Sequence, residues 1–532
     1  MGSELGRSAL TSAQGGVPAN GQPHDADMAS LARGGRLNIF GFVLRLAGQI
    51  PFLFIAGRIY GPAQLGRFAY AVLAVEFAAQ LSAFGLRRAL AQLLANGRKP
   101  QACIVADALL VAAIGSAIGT AILILFPRAM YPTTVIHGLD RLLAITVLAI
   151  SWTDISLAAL AYHDDVASTV RARSIVEPWT ITIVAFLWSY ISLDDGLIVS
   201  YVFSRVASLL AALIPLARRY RLPREWKPDL PLAWGTAVRN VPVTAADAVE
   251  WASRRIDLAV LGAFLPAAYV GIYYAAQQVA TIPAKLKTSF EPVLGPAIAR
   301  KIAAGDRVSV AKQIRQVTYW IIGAQLGIAL ALGIPGRAVM GLVGSGFTGG
   351  TAMLAFLLAA EAIAATAVVS EAALIYVVRT KNMVISLIML SLEAALAAAL
   401  ILVMQDQGLP ASYQATGPAI GLCIALAFAS VTKARLLHKE LGAPVSGWRW
   451  NLLWSAAAGI IVGALVHYFL SGILQLIVGV PAIMIAFGTV LWTKGFGPED
   501  RELFKLRKSE VQDLRDAEAA AEMGGPFEDD RV

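Results

Sequence analysis

Four arginines lie inside segments that are otherwise long and apolar: Arg45, Arg205, Arg254 and Arg255. A charged side chain at bilayer depth is costly unless it faces an oppositely charged partner or a water-filled cavity. Four such cations predict a polar, positively charged interior. The natural ligand for such an interior is an anion that is handled within the membrane.

The elements that must position these arginines are transmembrane helices. The chain has 532 residues, of which 57% are hydrophobic and 15% are charged, whereas soluble domains carry roughly 25% charged residues. The apolar segments are long enough for helices to cross a bilayer. The sequence therefore predicts an all-α, polytopic membrane protein, and the formal net charge of +9 does not indicate nucleic-acid binding.

About fourteen membrane spans are predicted. They cover 37–57, 68–86, 102–126, 142–162, 174–193, 196–217, 240–264, 268–284, 316–334, 350–377, 382–404, 414–432, 450–470 and 472–493.

The basic residues predict the orientation of these spans. If the N-terminus is cytoplasmic and the spans alternate, the cytoplasmic segments hold 35 lysines and arginines and the outer segments hold five. Such an asymmetry is a strong positive-inside signal. It predicts a multi-pass protein with both termini in the cytoplasm.

Two segments of the chain resemble each other. Gly57–Tyr70 and Gly262–Ala275 each form a glycine corner with aromatic residues, and each joins an odd-numbered span to the next. Since six spans separate them, the halves would be parallel repeats about an axis along the membrane normal, with substrate held between them. The alternative is a chance similarity of two Gly/Pro corners.

The predicted spans, the repeat and the polar tails together divide the chain into five regions. They are a disordered cytoplasmic tail (1–35), an N-terminal six-helix bundle (36–230), a C-terminal six-helix bundle (231–440), two additional transmembrane helices (441–495) and a charged cytoplasmic tail (496–532).

The motifs resemble those of a known family. The corner Gly57…Gly61-Pro62…Gly66-Arg-Phe68 is similar to the N-terminal signature of polysaccharide biosynthesis proteins, the Wzx-type oligosaccharide flippases, and Asp257…Gly262…Gly271-Ile-Tyr273 to its second-half counterpart. This resemblance implies two six-helix bundles and a place in the superfamily that also holds multidrug/cation antiporters and lipid II flippases. The Ser-Arg-rich opening of lipid II flippases is not evident here.

Arg45 is the first candidate for substrate binding. It shares a helical face with Asn38 and Gln49, at spacings of seven and four residues. It lies about 13 Å into its span at 1.5 Å per residue, which favours a cavity. The alternative is a side chain that snorkels to the inner headgroups.

The seventh span is the most polar. Asp247, Glu250, Arg254 and Asp257 follow one another at spacings of three, four and three residues, so a continuous helix would place them on one face. We predict that Arg254 binds the substrate, and that the carboxylates take up a proton or Na⁺ when the substrate leaves. The alternative is a structural ion-pair ladder. Arg255 lies about 100° away around the helix.

Four further charged residues lie mid-span and are functional candidates by default: Arg205, Glu76, Glu361 and Glu393. Alternatively, Arg205 forms an interhelical pair with a residue such as Asp154, and the glutamates are protonated hydrogen-bonding groups. Glu177 lies nearer the inner face, where its Glu-Pro-Trp sequence is more typical of a kink and an interfacial anchor.

The predicted function is flipping of a polyprenyl-diphosphate-linked oligosaccharide across the inner membrane for surface or exopolysaccharide synthesis. The predicted substrate-binding residues are Arg45, Gln49, Arg205, Arg254 and Arg255. The predicted ion-coupling residues are Asp247, Glu250, Asp257, Glu76, Glu361 and Glu393.

The sequence predicts no catalytic residue, cofactor or metal, because its two cysteines and five histidines lack ligand spacing. Expected partners are membrane lipids and polysaccharide polymerase and export proteins. The alternatives are a multidrug/cation antiporter of the same superfamily and a membrane glycosyltransferase or polymerase. Short outer loops speak against the last of these.

Overall fold

The computed structural model describes residues 44–497, except 96–98, 133–135, 137–138, 164, 222–225, 229–234, 236 and 304. The predicted disordered tail 1–35, Asn38 and almost all of the charged tail 496–532 lie outside the described residues. Every regular element among the described residues is helical, which confirms the predicted fold class.

The described residues of the first half contain eight α-helices. Helix α1 covers 44–55 and continues as a π-helical turn, Ala56–Tyr60. The others are α2 (Gly61–Ser82), α3 (Leu86–Ala95), α4 (Gln101–Leu125), α5 (Leu142–Ala161), α6 (Val166–Val170), α7 (Glu177–Trp188) and α8 (Gly196–Arg219). A π-helical turn, Arg171–Val176, joins α6 to α7 without a loop.

The remaining described chain contains eleven helices. They are α9 (Val241–Ala252), α10 (Ile256–Phe264), α11 (Ala267–Ala303), α12 (Arg307–Gly333), α13 (Gly336–Val343), α14 (Thr351–Val377), α15 (Arg379–Asp406), α16 (Ala411–Gln414), α17 (Gly417–Leu441), α18 (Asn451–Phe469) and α19 (Val480–Val490). π-Helical turns flank α19 on both sides.

Most helix–helix contacts lie within one half of the chain. In the first half, α5 packs against α2, α4 and α8, and α7 packs against α8. In the second half, α14 packs against α11, α12 and α17, and α15 packs against α10 and α17. The last pair, α18 and α19, packs on α12. The main contact between the halves is that of α2 with α11.

The count of fourteen spans stays a prediction. Among the described residues, ten helical stretches are long and apolar enough to cross a membrane. One of them, Leu44–Ala95, contains the described part of the first predicted span and all of the second. Gly61, with a φ of +80°, bends the chain between these spans. The fifth, seventh and eighth predicted spans are not among the ten, because they are interrupted or more polar.

The seventh predicted span is not one continuous helix. The chain leaves the helix at Ser253 and resumes it at Ile256, so α9 and α10 are separate. Ser253 donates its hydroxyl to the carbonyl oxygen of Glu250 at 2.9 Å, a local bond that competes with regular helix. The prediction that Asp247 and Asp257 share one helical face was therefore wrong.

The two repeat corners meet each other in the structure. A Cβ built on Gly66 of α2 would lie 1.7 Å from the carbonyl oxygen of Ala267, and one built on Gly271 of α11 would lie 2.0 Å from that of Pro62. The four positions are two equivalent pairs of the repeat, 205 residues apart, so the contact is reciprocal. A reciprocal contact is the pattern of a twofold axis, and glycine allows the two backbones to touch. We call this contact the glycine seam.

We predict that Gly66→Ala destabilises the protein. The added methyl group meets backbone atoms that cannot move aside, and overpacking of this kind costs roughly 1–3 kcal/mol. Gly488→Ala is the matched control, because that helical glycine of α19 faces open space and alanine favours helix. In detergent, the melting temperature of Gly66→Ala should fall while that of Gly488→Ala stays level or rises. Equal melting temperatures for both variants would contradict the seam.

Candidate functional site

A network of ion pairs lies between the helices of the first half, with Arg205 of α8 at its centre. The two guanidinium NH₂ groups of Arg205 bind Glu76 of α2 at 3.0 Å and Glu177 of α7 at 2.9 Å. The Arg205 side chain is 10% exposed. One turn earlier, Tyr201 donates its hydroxyl to Glu76 at 3.2 Å and places its ring under the guanidinium. Three helices are thereby tied together around one cation.

Arg173 extends this network. It pairs with Asp154 of α5 and with Glu177, the latter at 2.8 Å. Arg173 stands in the π-helical turn between α6 and α7, and such turns often occur at functional sites. Glu177 therefore receives two guanidinium groups at once.

Arg255 connects the network to the second half. It lies in the turn between α9 and α10, and its guanidinium is 3.6 Å from Glu76. Tyr274 of α11 lies within electrostatic range of Arg255, Glu76 and Arg205. Side chains from both halves therefore meet at this network.

Arg45 of α1 faces the same group of charges. It lies within electrostatic range of Glu177, Arg173, Arg205 and Glu76, yet its side chain is exposed. Arg45 is therefore an accessible cation beside the buried charges of this group. Gln49, one turn further along α1, is exposed as well.

The charges of this group do not cancel. Four arginines (Arg45, Arg173, Arg205 and Arg255) stand against three carboxylates (Glu76, Asp154 and Glu177). Within the described part of the chain, no carboxylate lies within 4 Å of Arg45. The group, which we call the arginine network, therefore has one cation available for an external anion.

Arg254 lies outside the arginine network. Its side chain is 71% exposed and pairs with Glu250 at 3.1 Å, the predicted i,i+4 contact. Glu250 also binds Arg88 of α3, which in turn binds the buried Asp247 at 2.8 Å. These contacts have the geometry of an ion-pair ladder between α3 and α9.

Asp257 has a separate environment. Its side chain is buried at the first turn of α10. It accepts hydrogen bonds from the hydroxyl of Tyr273 at 2.7 Å, the backbone N–H of Leu258 at 2.7 Å and the amide of Gln277 at 3.2 Å.

Glu393 of α15 completes a second polar site. It is 1% exposed and lies within electrostatic range of Asp257. Among the described residues, one of its carboxylate oxygens has no hydrogen-bond partner, and no lysine or arginine is within 4 Å of either carboxylate. Two buried carboxylates without a paired cation favour uptake of a proton or a metal cation. We call Asp257, Tyr273, Gln277 and Glu393 the acidic site.

The six residues predicted for ion coupling are therefore dispersed. Glu76 belongs to the arginine network, Asp257 and Glu393 to the acidic site, and Asp247 and Glu250 to the ladder. Glu361 lies half-buried on α14. The described residues contain no group of three or more histidine, cysteine or acidic side chains that could hold a metal ion.

Sequence analysis missed three members of the arginine network. The sequence places Arg173 between predicted spans and favours an interfacial kink at Glu177, and it offers Asp154 only as an example of an alternative partner for Arg205. In the structure Asp154 pairs with Arg173, and Arg205 pairs with Glu177. The i,i+4 spacing of Arg173 and Glu177 was the available signal. The polar sequence before Glu177 concealed it, because it resembled a loop.

Comparison with known proteins agrees with this architecture. Residues 42–301 match the family model described as polysaccharide biosynthesis protein. No curated protein sequence matches the chain at a significant level.

Solved structures share the fold. The lipid II flippase MurJ in an inward closed conformation superimposes with a TM-score of 0.64 at 11% identity, over 85% of this chain and 98% of that chain. An inward-facing multidrug resistance MATE family transporter of the MOP superfamily gives a TM-score of 0.58 at 12% identity, over 75% and 94%.

A third similar structure is a MOP superfamily transporter from Pyrococcus furiosus, whose binding pocket is described as having reversed polarity. It gives a TM-score of 0.52 at 10% identity, over 78% of this chain and 95% of that chain. The protein is thus a multi-pass membrane protein with the fold of MOP superfamily transporters, and over residues 42–301 it matches the polysaccharide biosynthesis proteins.

Proposed function

We propose that this protein is a transporter, and not an enzyme, that flips a polyprenyl-diphosphate-linked oligosaccharide across the inner membrane for surface or exopolysaccharide synthesis. The observation that carries the proposal is the arginine network, whose excess cation, Arg45, has an exposed side chain within electrostatic range of the other members. The family match over residues 42–301 supports a role in polysaccharide biosynthesis.

The diphosphate of such a substrate is the group that the arginine network would bind. Guanidinium groups bind phosphate oxygens through paired, charge-assisted hydrogen bonds. Arg45 is available for the first contact. Arg255 is the next, because its 3.6 Å contact with Glu76 is the longest in the network and its side chain is 30% exposed. Arg205 remains paired with Glu76 and Glu177. It would attract the diphosphate through its positive charge without contacting it.

The glycan and the lipid have different requirements. The glycan needs a wet space, which we place between the halves, with Gln49 of α1 and Gln278 of α11 as candidate hydrogen-bonding groups. The polyprenyl chain stays in the bilayer, since moving it through a polar interior would expose apolar surface to water. Such a division lets one carrier accept a large substrate while it encloses only the charged part.

The acidic site is the candidate for coupling. Arg255 lies two residues before Asp257 and within electrostatic range of both Asp257 and Glu76. A proton or Na⁺ bound between Asp257 and Glu393 would change the field at Arg255 and hence its affinity for the diphosphate. Glu250 and Asp247 are less suited to this role, since both already pair with Arg88.

A multidrug/cation antiporter is the second candidate. The acidic site favours it, because buried carboxylates attract cations. The arginine network opposes it, since a cationic substrate between the halves would meet an excess of arginine charge. We therefore prefer the anionic substrate.

The excess of lysine and arginine in the predicted cytoplasmic segments supports an inner-membrane location with both termini in the cytoplasm. With that orientation, the substrate would be loaded at the cytoplasmic side and released outside. Polysaccharide polymerase and export proteins are the partners that this direction of transport implies.

We predict that Arg45→Ala reduces flipping of a fluorescent polyprenyl-diphosphate oligosaccharide in proteoliposomes by tenfold or more, while the melting temperature stays at the wild-type value. The loss follows from removal of the one network cation with no carboxylate within 4 Å, and the retained stability follows from its exposure. Arg219→Ala, at the exposed end of α8, is the control. Equal flipping rates in both variants would rule out the anion site.

In contrast to Arg45→Ala, we predict that Arg205→Ala destabilises the protein. Removal of this cation leaves Glu76 and Glu177 without their shared partner, and breaking a buried ion pair from one side costs roughly 3–5 kcal/mol. The melting temperature should fall clearly, and the additional change Glu177→Gln should recover part of the loss. If Arg205→Ala melts at the wild-type temperature, the network does not stabilise the first half.

For the acidic site we predict that Glu393→Gln abolishes the dependence of flipping on a pH or Na⁺ gradient without weakening substrate binding. The matched control is Glu250→Gln in the ladder, which should keep the gradient dependence. Both quantities are measurable in proteoliposomes, by flipping under imposed gradients and by binding of the labelled substrate. Unchanged gradient dependence in Glu393→Gln would remove the acidic site from the mechanism.

A further inference from the structure

A second basic feature lies apart from the arginine network, at one end of helices α15 and α17. These helices border an open groove of about 500 Å³, within the range of ~300–1,000 Å³ of small-molecule sites. Three cations line it: Lys381 near the start of α15, and Arg435 and Lys439 near the end of α17. The arginine network uses none of these residues.

The cations of the groove differ in their pairing. The ammonium group of Lys381 binds Glu440 at 2.9 Å. Over the described ranges of the chain, by contrast, no carboxylate lies within 4 Å of Arg435 or Lys439, and both side chains are exposed. Two cations of the groove are therefore available to an anion from outside.

A buried lysine fixes the walls of the groove. Lys433 of α17 is 2% exposed and binds Glu371 of α14 at 2.8 Å and the hydroxyl of Ser386 of α15 at 3.0 Å. Glu371 also accepts a hydrogen bond from Asn382 at 3.3 Å. The three helices are thus held in register, and the cations on the rim keep their spacing without a ligand.

The groove becomes apolar away from its charged rim. Val384, Ile385 and Leu436 line it further in. Beyond them, α15 and α17 present exposed hydrophobic side chains such as Leu387 and Val431, a surface suited to lipid tails. The predicted topology places the charged rim at the cytoplasmic face. Cations at headgroup depth above an apolar surface match a phospholipid with an anionic headgroup.

We propose that this groove binds an anionic phospholipid of the cytoplasmic leaflet, with Arg435 and Lys439 on its phosphate group and the acyl chains along α15 and α17. The inference is independent of the transported substrate. It rests on charge complementarity and on the change from polar to apolar lining along the groove.

The test compares two double variants of the full chain. Arg435→Gln/Lys439→Gln removes the two available cations of the groove, and Arg218→Gln/Arg219→Gln removes two exposed cations at the end of α8. Native mass spectrometry of the delipidated protein then measures binding of phosphatidylglycerol and of phosphatidylethanolamine, with inorganic phosphate as a competitor. Melting temperatures establish that both variants are folded.

We expect phosphatidylglycerol to bind the wild type more tightly than phosphatidylethanolamine. Its affinity should fall roughly 30-fold in the groove variant, at about 1 kcal/mol for each cation, and stay unchanged in the control variant. Equal losses in both variants would reduce the effect to nonspecific attraction and overturn the proposal. The proposal would also be overturned if the wild type bound both lipids equally well, or if inorganic phosphate displaced phosphatidylglycerol at an equal concentration. Flipping by Arg45→Ala is a separate measurement, so failure of one proposal leaves the other standing.

Discussion

Guanidinium groups persist inside a bundle of apolar helices only where carboxylates from neighbouring helices balance their charge. In this protein that requirement is met by Glu76 and Glu177 around Arg205. The pairing ties α2, α7 and α8 together, and Arg173 brings α5 into the same system. The π-helical turn before α7 belongs to this arrangement, because it holds Arg173 where it can reach both Asp154 and Glu177.

The two candidate sites lie mainly in different halves of the chain. Most of the arginine network belongs to the first half, whereas the second half contains the buried Asp257 and Glu393 of the acidic site. The turn before α10 is the link, since Arg255 contacts Glu76 and precedes Asp257 by two residues. The glycine seam brings α2 and α11 into backbone contact. The acidic site thus lies close to the arginine network.

Sequence patterns recovered the class of the fold and part of the site. Long apolar segments indicated an all-helical membrane protein, and the glycine corners Gly57–Tyr70 and Gly262–Ala275 pointed to the segments that meet at the seam. Arg45, Arg205 and Arg255 were predicted because a charge within an apolar segment is visible without a structure. Arg173 was not, because polar neighbours hid the helix that carries it. Asp257 was assigned to the wrong neighbours, because helical periodicity assumes an unbroken helix and Ser253 ends α9.

The sequence by itself determined that charged groups lie within the membrane and where the chain turns, since hydropathy, glycine and charge act locally along the chain. The tertiary structure decided which charges face each other. Arg254 and Arg255 are neighbours in sequence, yet Arg254 is 71% exposed beside Glu250 while Arg255 reaches Glu76. An ion pair between helices depends on the rotation and depth of both partners. Those quantities are set by the packing of the whole bundle and leave no periodic signal in either segment.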